Sequence, residues 1–209
     1  MSGLGIAESA KPALVTKFET GLAFDAETDA VPVSVVRSIE GGYSVERATY
    51  SDGSVSETGM GVSQEATPEQ ARAIIAEAAP FLDPNYVGDH VVYPGIQTMA
   101  TGISGCLSTG GGRVVYHSNC HTYYNGITAS NSFDANYQQF QTGGSAAQYI
   151  DGTAKFVSVI QSVTNEQVLS VGGGTGVKYS FVTSLAGWGS IPGYLQLNTS
   201  SGDRWVTAG

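Results

Sequence analysis

The chain has 209 residues, enough for one large β domain or for a smaller domain with an appended region, and enough to bury a sizeable core. Nine Lys and Arg stand against eighteen Asp and Glu. This acidic balance argues against nucleic acid or an anionic membrane surface as a partner, because too few basic groups exist to neutralise phosphates. No apolar run approaches the roughly 20 residues of a spanning helix, so no membrane insertion is expected.

The charge is divided unevenly along the chain. Residues 1–99 carry fourteen acidic and five basic side chains, a net charge of −9, whereas residues 100–209 carry four of each. Both cysteines and most of the glycine and aromatic residues lie in the neutral part. We therefore predict two regions, 1–95 and 96–209, with a boundary near residues 85–100 where turn residues cluster.

The beginning of the acidic region is predicted to be an extended arm. Residues 1–34 lack a sustained period, and the step Val31-Pro32-Val33 cannot continue a helix, so the pattern allows no more than a short helical turn near residues 14–22. Asp52-Gly53 lies between two short β-type runs and predicts a hairpin over residues 43–58.

One helix is predicted in the acidic region, over residues 68–79. Thr67 supplies an N-cap, Pro68 stands at the first helical position and Gln70 completes a capping box. Apolar residues follow at helical spacing, and Pro80 bounds the end.

The second region has a different pattern, with short β-type runs separated by glycine-rich turns. Such spacing without intervening helices is typical of an antiparallel β-sandwich or barrel, and we predict a β-sandwich here. The glycine run after Val171 lacks the residues of a phosphate-binding loop and is predicted to be a turn. The predicted strands are 103–107, 114–124, 127–140, 154–163, 168–171, 177–185, 194–197 and 204–207.

Cys106 and Cys120 flank a triple glycine and are predicted to form a disulfide, two buried thiols being the alternative. A disulfide and the low charge content favour a secreted protein. The start of the sequence has neither a basic n-region nor an apolar h-region, so we predict that an export signal is not present in this sequence. We expect that a signal was removed or that the native start differs, and an intracellular protein is the alternative.

No catalytic or metal site is predicted, and no cofactor. On a regular strand His117 and His121 share a face, but their Cα atoms are about 13 Å apart, too far to chelate one ion, so we interpret them as surface histidines. The motif Gly-x-Ser-x-Gly is absent from the sequence. A triad dispersed in sequence, such as Ser190 with His117 and Asp134, stays open because triads are defined in space.

Five aromatic residues are candidates for ligand contact, because aromatic rings offer a large rigid surface on which sugars stack. The alternative is that they fill the core of the sandwich, as most such residues do. These residues are Tyr123, Tyr124, Trp188, Tyr194 and Trp205.

From Cys106 onward the chain resembles small secreted β-sandwich proteins of actinobacteria. The features that carry this resemblance are the glycine-rich interval between the cysteines, the stretch Phe133-Asp134-Ala135-Asn136-Tyr137 and a terminal apolar strand. Some proteins of this kind are bridging subunits of secreted antagonism or toxin particles, in which an N-terminal arm engages one partner and the sandwich another. The resemblance implies no catalytic residues.

The leading hypothesis is a secreted, non-enzymatic binding or adaptor module whose acidic N-terminal region engages a protein partner. The same region could instead be a pro-region that assists folding. Two other hypotheses remain open: a small secreted hydrolase acting on peptide or glycan, and a carbohydrate-binding module.

Overall fold

The computed structural model describes residues 4–78, 106–111, 113–158, 161–185, 189–200 and 203–209. Within these residues the fold is mainly β, as the sequence predicts, and neither helix is long and apolar enough to cross a membrane. The elements are α1 (Lys11–Glu19), a short 3-10 helix (Asp25–Glu27), β1 (Ser34–Glu40), β2 (Tyr43–Thr49), β3 (Val55–Gly61), β4 (Gln64–Glu65), α2 (Pro68–Ala78), β5 (Leu107–Gly111), β6 (Val114–Asn125), β7 (Ala129–Phe140), β8 (Ser145–Tyr149), β9 (Lys155–Ser158), β10 (Gln161–Val171), β11 (Gly176–Leu185), β12 (Gly189–Thr199) and β13 (Arg204–Ala208).

The strands form two sheets. In the first, β1, β2 and β3 pair in order, and β3 then pairs with the C-terminal half of β6, whose N-terminal half pairs with β5. β7 runs along the other side of β6 and pairs in turn with β8 and β9. The second sheet has the order β10-β11-β12-β13. All pairs are antiparallel except the short pair β4 and β5.

One buried cluster joins the two sheets. From the first sheet it contains Phe133, Ala135 and both cysteines, none of which is exposed, and from the second sheet Leu195 and other side chains. Cys106 and Cys120 form the predicted disulfide inside this cluster, so the bridge links the start of β5 to the middle of β6. α2 packs through Ile74 on the opposite face of the first sheet. The other members contributed by the second sheet are Val177, Tyr179, Phe181 and Leu197.

The described residues before β1 are packed against the first sheet, which corrects the expectation of an extended arm. Leu14, Phe24 and Ala26 are buried. Lys17 donates to Asp25 and to Asp52, each at 2.8 Å, and so joins α1 to the turn between β2 and β3. Burial alone would raise the pKa of Asp52, but hydrogen bonds from the Asp25 amide, Lys17 and Ser54 outweigh it and hold that pKa far below its ordinary value.

The hairpin and the capped helix that the sequence predicts are present as β2–β3 and α2. Gly53 has φ +81, and a Cβ placed on it would lie 2.4 Å from the Cβ of Ala10, so both backbone conformation and space require glycine there. At α2, the Thr67 amide donates to the Gln70 side chain at 2.9 Å, and the Gln70 amide donates to Thr67 Oγ1 at 3.3 Å. Residue 79 and the predicted boundary at 85–100 lie outside the described residues, so the division into two regions stays a prediction.

The strand pattern differs from the prediction at several places. β1, β4 and β8 were not predicted, and β5 begins at residue 107, where a predicted strand ends. β10 is one continuous strand from residue 161 to 171, with a register shift near Asn165 (φ +53), where the sequence predicts the end of one strand and a separate second one. The glycine run after Val171 forms the turn between β10 and β11, as predicted.

Candidate functional site

The most exposed apolar feature of the described residues is β1. It pairs with β2 over its whole length and lies at the end of its sheet, so its other edge has no partner strand in the described part of the chain. Long apolar edge strands of this kind are templates for pairing with another chain. The exposed apolar residues on and before β1 are Val31, Val33, Val35, Val36 and Ile39, at 44–84% exposure.

The charges around β1 are acidic or already neutralised. Arg37 is paired with Glu46 at 2.6 Å, across the β1–β2 hairpin. Asp29 and Glu40 are exposed and stand at the two ends of the apolar stretch. Glu40 lies 3.6 Å from Arg47, but Arg47 is shared with Glu57, so this group of three keeps a net negative charge. The surface beside the free edge is therefore apolar in the middle and negative at both ends.

Trp205 extends this surface onto the second sheet. Its side chain is 46% exposed and lines a groove together with Arg37 and Glu46, between the β1–β3 strands and β13. Trp is among the residues that most often dominate binding energy at protein interfaces. Together, β1 and Trp205 make a continuous candidate surface, which we call the β1 edge.

A second feature is a cleft of about 340 Å³ between the two sheets. Its walls include apolar and aromatic side chains, among them Val35, Tyr124, Phe156 and Phe181, and polar ones such as Asn131. Glu27 lies at this cleft, and its Oε1 accepts from the amide of Thr128 at 3.0 Å and from its hydroxyl at 2.6 Å. We call this space the inter-sheet cleft.

A third feature is a groove of about 380 Å³ on the outer face of the first sheet. Tyr43 packs edge-on against Tyr123, with ring centroids 5.3 Å apart, and His121 lies within 6.3 Å of both rings. Glu57 accepts from the Tyr123 hydroxyl at 3.2 Å. Burial and the charge of Glu57 raise the pKa of Tyr123 well above its ordinary value, so its hydroxyl stays protonated as a donor. We call this space the outer groove.

The two histidines lie on opposite faces of the sheet, which corrects the expectation that they share one. The register of β6 against β7 shifts between His117 and Cys120, where Asn119 has φ +55. This bulge places His117 opposite Tyr137 on the core side and His121 opposite Asp134 on the outer side. His121 Nδ1 is 2.6 Å from Asp134 Oδ1.

His117 is buried, in contrast to the predicted surface position. Its exposure is 7%, its ring stacks on Tyr137 at 4.2 Å, and its Nδ1 is 2.9 Å from Ser63 Oγ. Burial, with the positive charge of Arg204, lowers the pKa of His117 to about 3. The imidazole is therefore neutral at physiological pH and acts as a buried polar member of the core.

The dispersed triad of Ser190, His117 and Asp134, which the sequence analysis left open, is not formed in the structure. His117 contacts Ser63, Asp134 pairs with His121, and the Ser190 hydroxyl lies 3.1 Å from Ser184. In the described part of the chain no group of three or more His, Cys, Asp and Glu side chains is arranged to hold a metal ion.

The five candidate aromatic residues do not form one surface. Tyr123 lines the outer groove, whereas Tyr124 and Tyr194 line the inter-sheet cleft. Trp205 belongs to the β1 edge, and Trp188 lies outside the described residues. Neither β1 nor Glu27 was singled out from sequence, although Gly41-Gly42 between residues 34–40 and 43–49 is a hairpin signal that would have revealed β1.

Comparisons with family models, with curated proteins and with solved structures found no match to this chain.

Proposed function

We propose that this chain is a secreted, non-enzymatic binding module with a β-sandwich architecture, and that the β1 edge receives an extended segment of a protein partner. The observation that carries the proposal is the free apolar edge of β1. An added strand would gain main-chain hydrogen bonds along that edge and would cover valine and isoleucine side chains that are now in water.

Two further observations support the compartment and the architecture. The disulfide between Cys106 and Cys120 is typical of proteins that fold in an oxidising compartment. The buried faces of both sheets contribute to one apolar cluster, which is the arrangement of a sandwich.

The charge pattern favours a basic partner segment over a second copy of this chain. The first 99 residues carry a net charge of −9, and Arg37 beside the edge is already paired with Glu46. Two such edges would bring the same acidic ends together and repel each other, whereas a basic segment would be attracted. That the complex is an extracellular antagonism particle rests on the sequence resemblance and stays a prediction.

The proposal is tested with a double variant, Val36→Lys and Ile39→Lys. Both side chains are exposed, so the fold tolerates the change, while the added lysines repel a basic strand and remove apolar contact. Leu169→Lys is the matched control, because Leu169 is 49% exposed on β10, at an edge of the other sheet. Losing two apolar contacts of about 1 kcal/mol each weakens binding roughly thirtyfold.

The assay immobilises each protein, captures partners from culture supernatant of the source organism, and measures the affinity of the purified partner for each variant. We expect wild type and Leu169→Lys to bind alike and the double variant to bind roughly thirtyfold more weakly. Equal binding by the double variant contradicts the proposal. So does a wild-type dimer in sedimentation that the double variant dissociates, because the edge would then belong to a second copy.

Carbohydrate binding is a second candidate, and the outer groove is the observation that favours it. Tyr43 and Tyr123 offer aromatic surface, and Glu57 offers a carboxylate acceptor for sugar hydroxyls. A glycan array that is positive for wild type and negative for Tyr43→Ala supports it. An array without signal for wild type removes it.

A further inference from the structure

The inter-sheet cleft contains two hydrogen-bond acceptors without a cationic partner. Asn131 is 6% exposed, and its side-chain oxygen has no hydrogen-bond partner among the described residues. Glu27, at the same cleft, takes part in no ion pair in the described part of the chain. An orphaned buried acceptor costs about 1–3 kcal/mol, so the Asn131 oxygen calls for a donor from elsewhere. Among the described residues, Glu27 accepts hydrogen bonds only from the neutral Thr128 and lacks a cationic partner.

The groups around Glu27 fix the position of its carboxylate. Thr128 donates to it through both amide and hydroxyl, and Gln161 donates in turn to the Thr128 hydroxyl at 2.8 Å. The Tyr124 hydroxyl donates to the carbonyl of Ala26 at 3.0 Å, which holds the Tyr124 ring beside Glu27. Burial raises the pKa of Glu27, and the two hydrogen bonds from Thr128 oppose that rise. Every neighbour that hydrogen-bonds the carboxylate is neutral.

The remaining walls suit an alkyl chain with a positive end. Aromatic rings of Tyr124, Phe156 and Phe181 line the cleft, and aromatic faces attract cations as well as aliphatic carbon. Recognition of an amphipathic amine requires hydrogen-bond acceptors for its ammonium group and an apolar surface for its alkyl chain.

We infer that the inter-sheet cleft binds a primary alkylammonium group, with the ammonium at Glu27 and Asn131 and the alkyl chain along Tyr124, Phe156 and Phe181. This site shares the wall residue Val35 with the β1 edge, but its acceptors Glu27 and Asn131 are not part of that edge, and it does not depend on the function proposed above. The ligand is either a free alkylamine or the side chain of a lysine in another polypeptide, which present the same chemistry.

The test is NMR titration of the full chain with n-pentylamine, followed through the amide proton of Thr128. That proton is hydrogen-bonded to the Glu27 carboxylate and therefore reports directly on what binds there. We expect a saturable shift of Thr128 and of its cleft neighbours, with a dissociation constant on the order of millimolar for so small a probe. Pentan-1-ol should be bound at least about tenfold more weakly, because hydrogen bonds to a charged group are stronger.

Variants separate a ligand role from a structural one. Glu27→Gln can still accept from Thr128 but lacks the charge, and we expect it to weaken pentylamine binding about tenfold or more. Asn131→Leu should also weaken binding while leaving the fold at least as stable, because it removes an unpaired buried polar group. Asp29→Asn is the control: Asp29 is an exposed carboxylate two residues from Glu27, and its removal should leave binding unchanged.

Three results would overturn the inference: no saturable shift of Thr128, equal binding of pentan-1-ol, or an equal loss in Asp29→Asn, which would indicate general attraction to an acidic surface. The double variant at Val36 and Ile39 should bind pentylamine normally, so failure of this inference and failure of the β1-edge proposal are distinguishable.

Titration with Nα-acetyl-lysine-N-methylamide identifies whether the ligand is a free amine or a lysine side chain. Binding at least as tight as that of pentylamine assigns the cleft to a lysine side chain, and much weaker binding assigns it to a free amine.

Discussion

Acidification should destabilise this protein through His117. The pKa of this residue is about 3 in the folded chain, against about 6.5 for an unperturbed histidine. Because the folded pKa is the lower one, the unfolded state binds the proton more readily. The stability that depends on neutral His117 is complete above pH 6.5 and is lost as the pH falls toward 3.

The magnitude follows from the difference between the two pKa values. Between pH 7 and pH 4 the linkage relation gives a loss of about 3 kcal/mol from this residue. His117 is 7% exposed, so solvent screening reduces this value little. Asp52, whose pKa is lowered, loses its contribution mainly below about pH 4, and a variant isolates the effect of His117 from that of the carboxylates.

The assay is urea unfolding of wild type and of His117→Gln at pH 7 and at pH 4. The glutamine introduced by this substitution can keep a hydrogen bond to Ser63 but does not titrate, so wild type should lose about 3 kcal/mol more than the variant between the two pH values. NMR titration of the wild-type His117 ring gives an independent reading. Equal losses in both proteins, or a ring that protonates near pH 6.5, would refute the reasoning.

Two further predictions concern the core and the first hairpin. Replacing Cys106 and Cys120 together by Ala should cost about 3 kcal/mol in chemical unfolding, because a loop with a sequence separation of 14 is no longer closed; an unchanged midpoint would contradict this. Gly53→Ala should lower the free energy of unfolding by about 1–3 kcal/mol more than Gly152→Ala in the same assay. Both glycines have positive φ, but only the new methyl group at position 53 meets Ala10. Equal losses in the two variants would show that this contact is unimportant.

Local signals in the sequence predict several elements of this fold. The capping box at Thr67 and Gln70 and the Asp52-Gly53 turn lie within a few residues of the elements they define, so no tertiary knowledge is needed. The disulfide follows from the presence of two cysteines in a chain of extracellular composition. These features depend on short-range chemistry, which a single sequence displays.

The missed elements depend on long-range packing. β8 contains Ala146, Ala147 and Gln148, which have low strand propensity, and it forms because β7 offers an edge for pairing. The bulge at Asn119 reverses the faces of β6, and no local pattern in this stretch signals it.

The candidate sites were largely invisible in the sequence for the same reason. Glu27 and Asn131 are 104 positions apart and meet at one cleft because the described N-terminal segment packs on β6 and β7. β1 was not predicted, because Pro32 just before it and the lack of alternation hid a strand that exposes apolar residues on both faces.

The most direct test of the proposed function is hydrogen exchange of the protein with and without its purified partner. If a partner strand adds to the free edge, amides in residues 34–40 that point away from β2 should exchange at least about tenfold more slowly in the complex, as buried hydrogen-bonded amides do. Amides of β10, at an edge of the other sheet, should be unchanged. Unaltered exchange across residues 34–40, with protection elsewhere, would contradict the assignment of β1 as the binding edge.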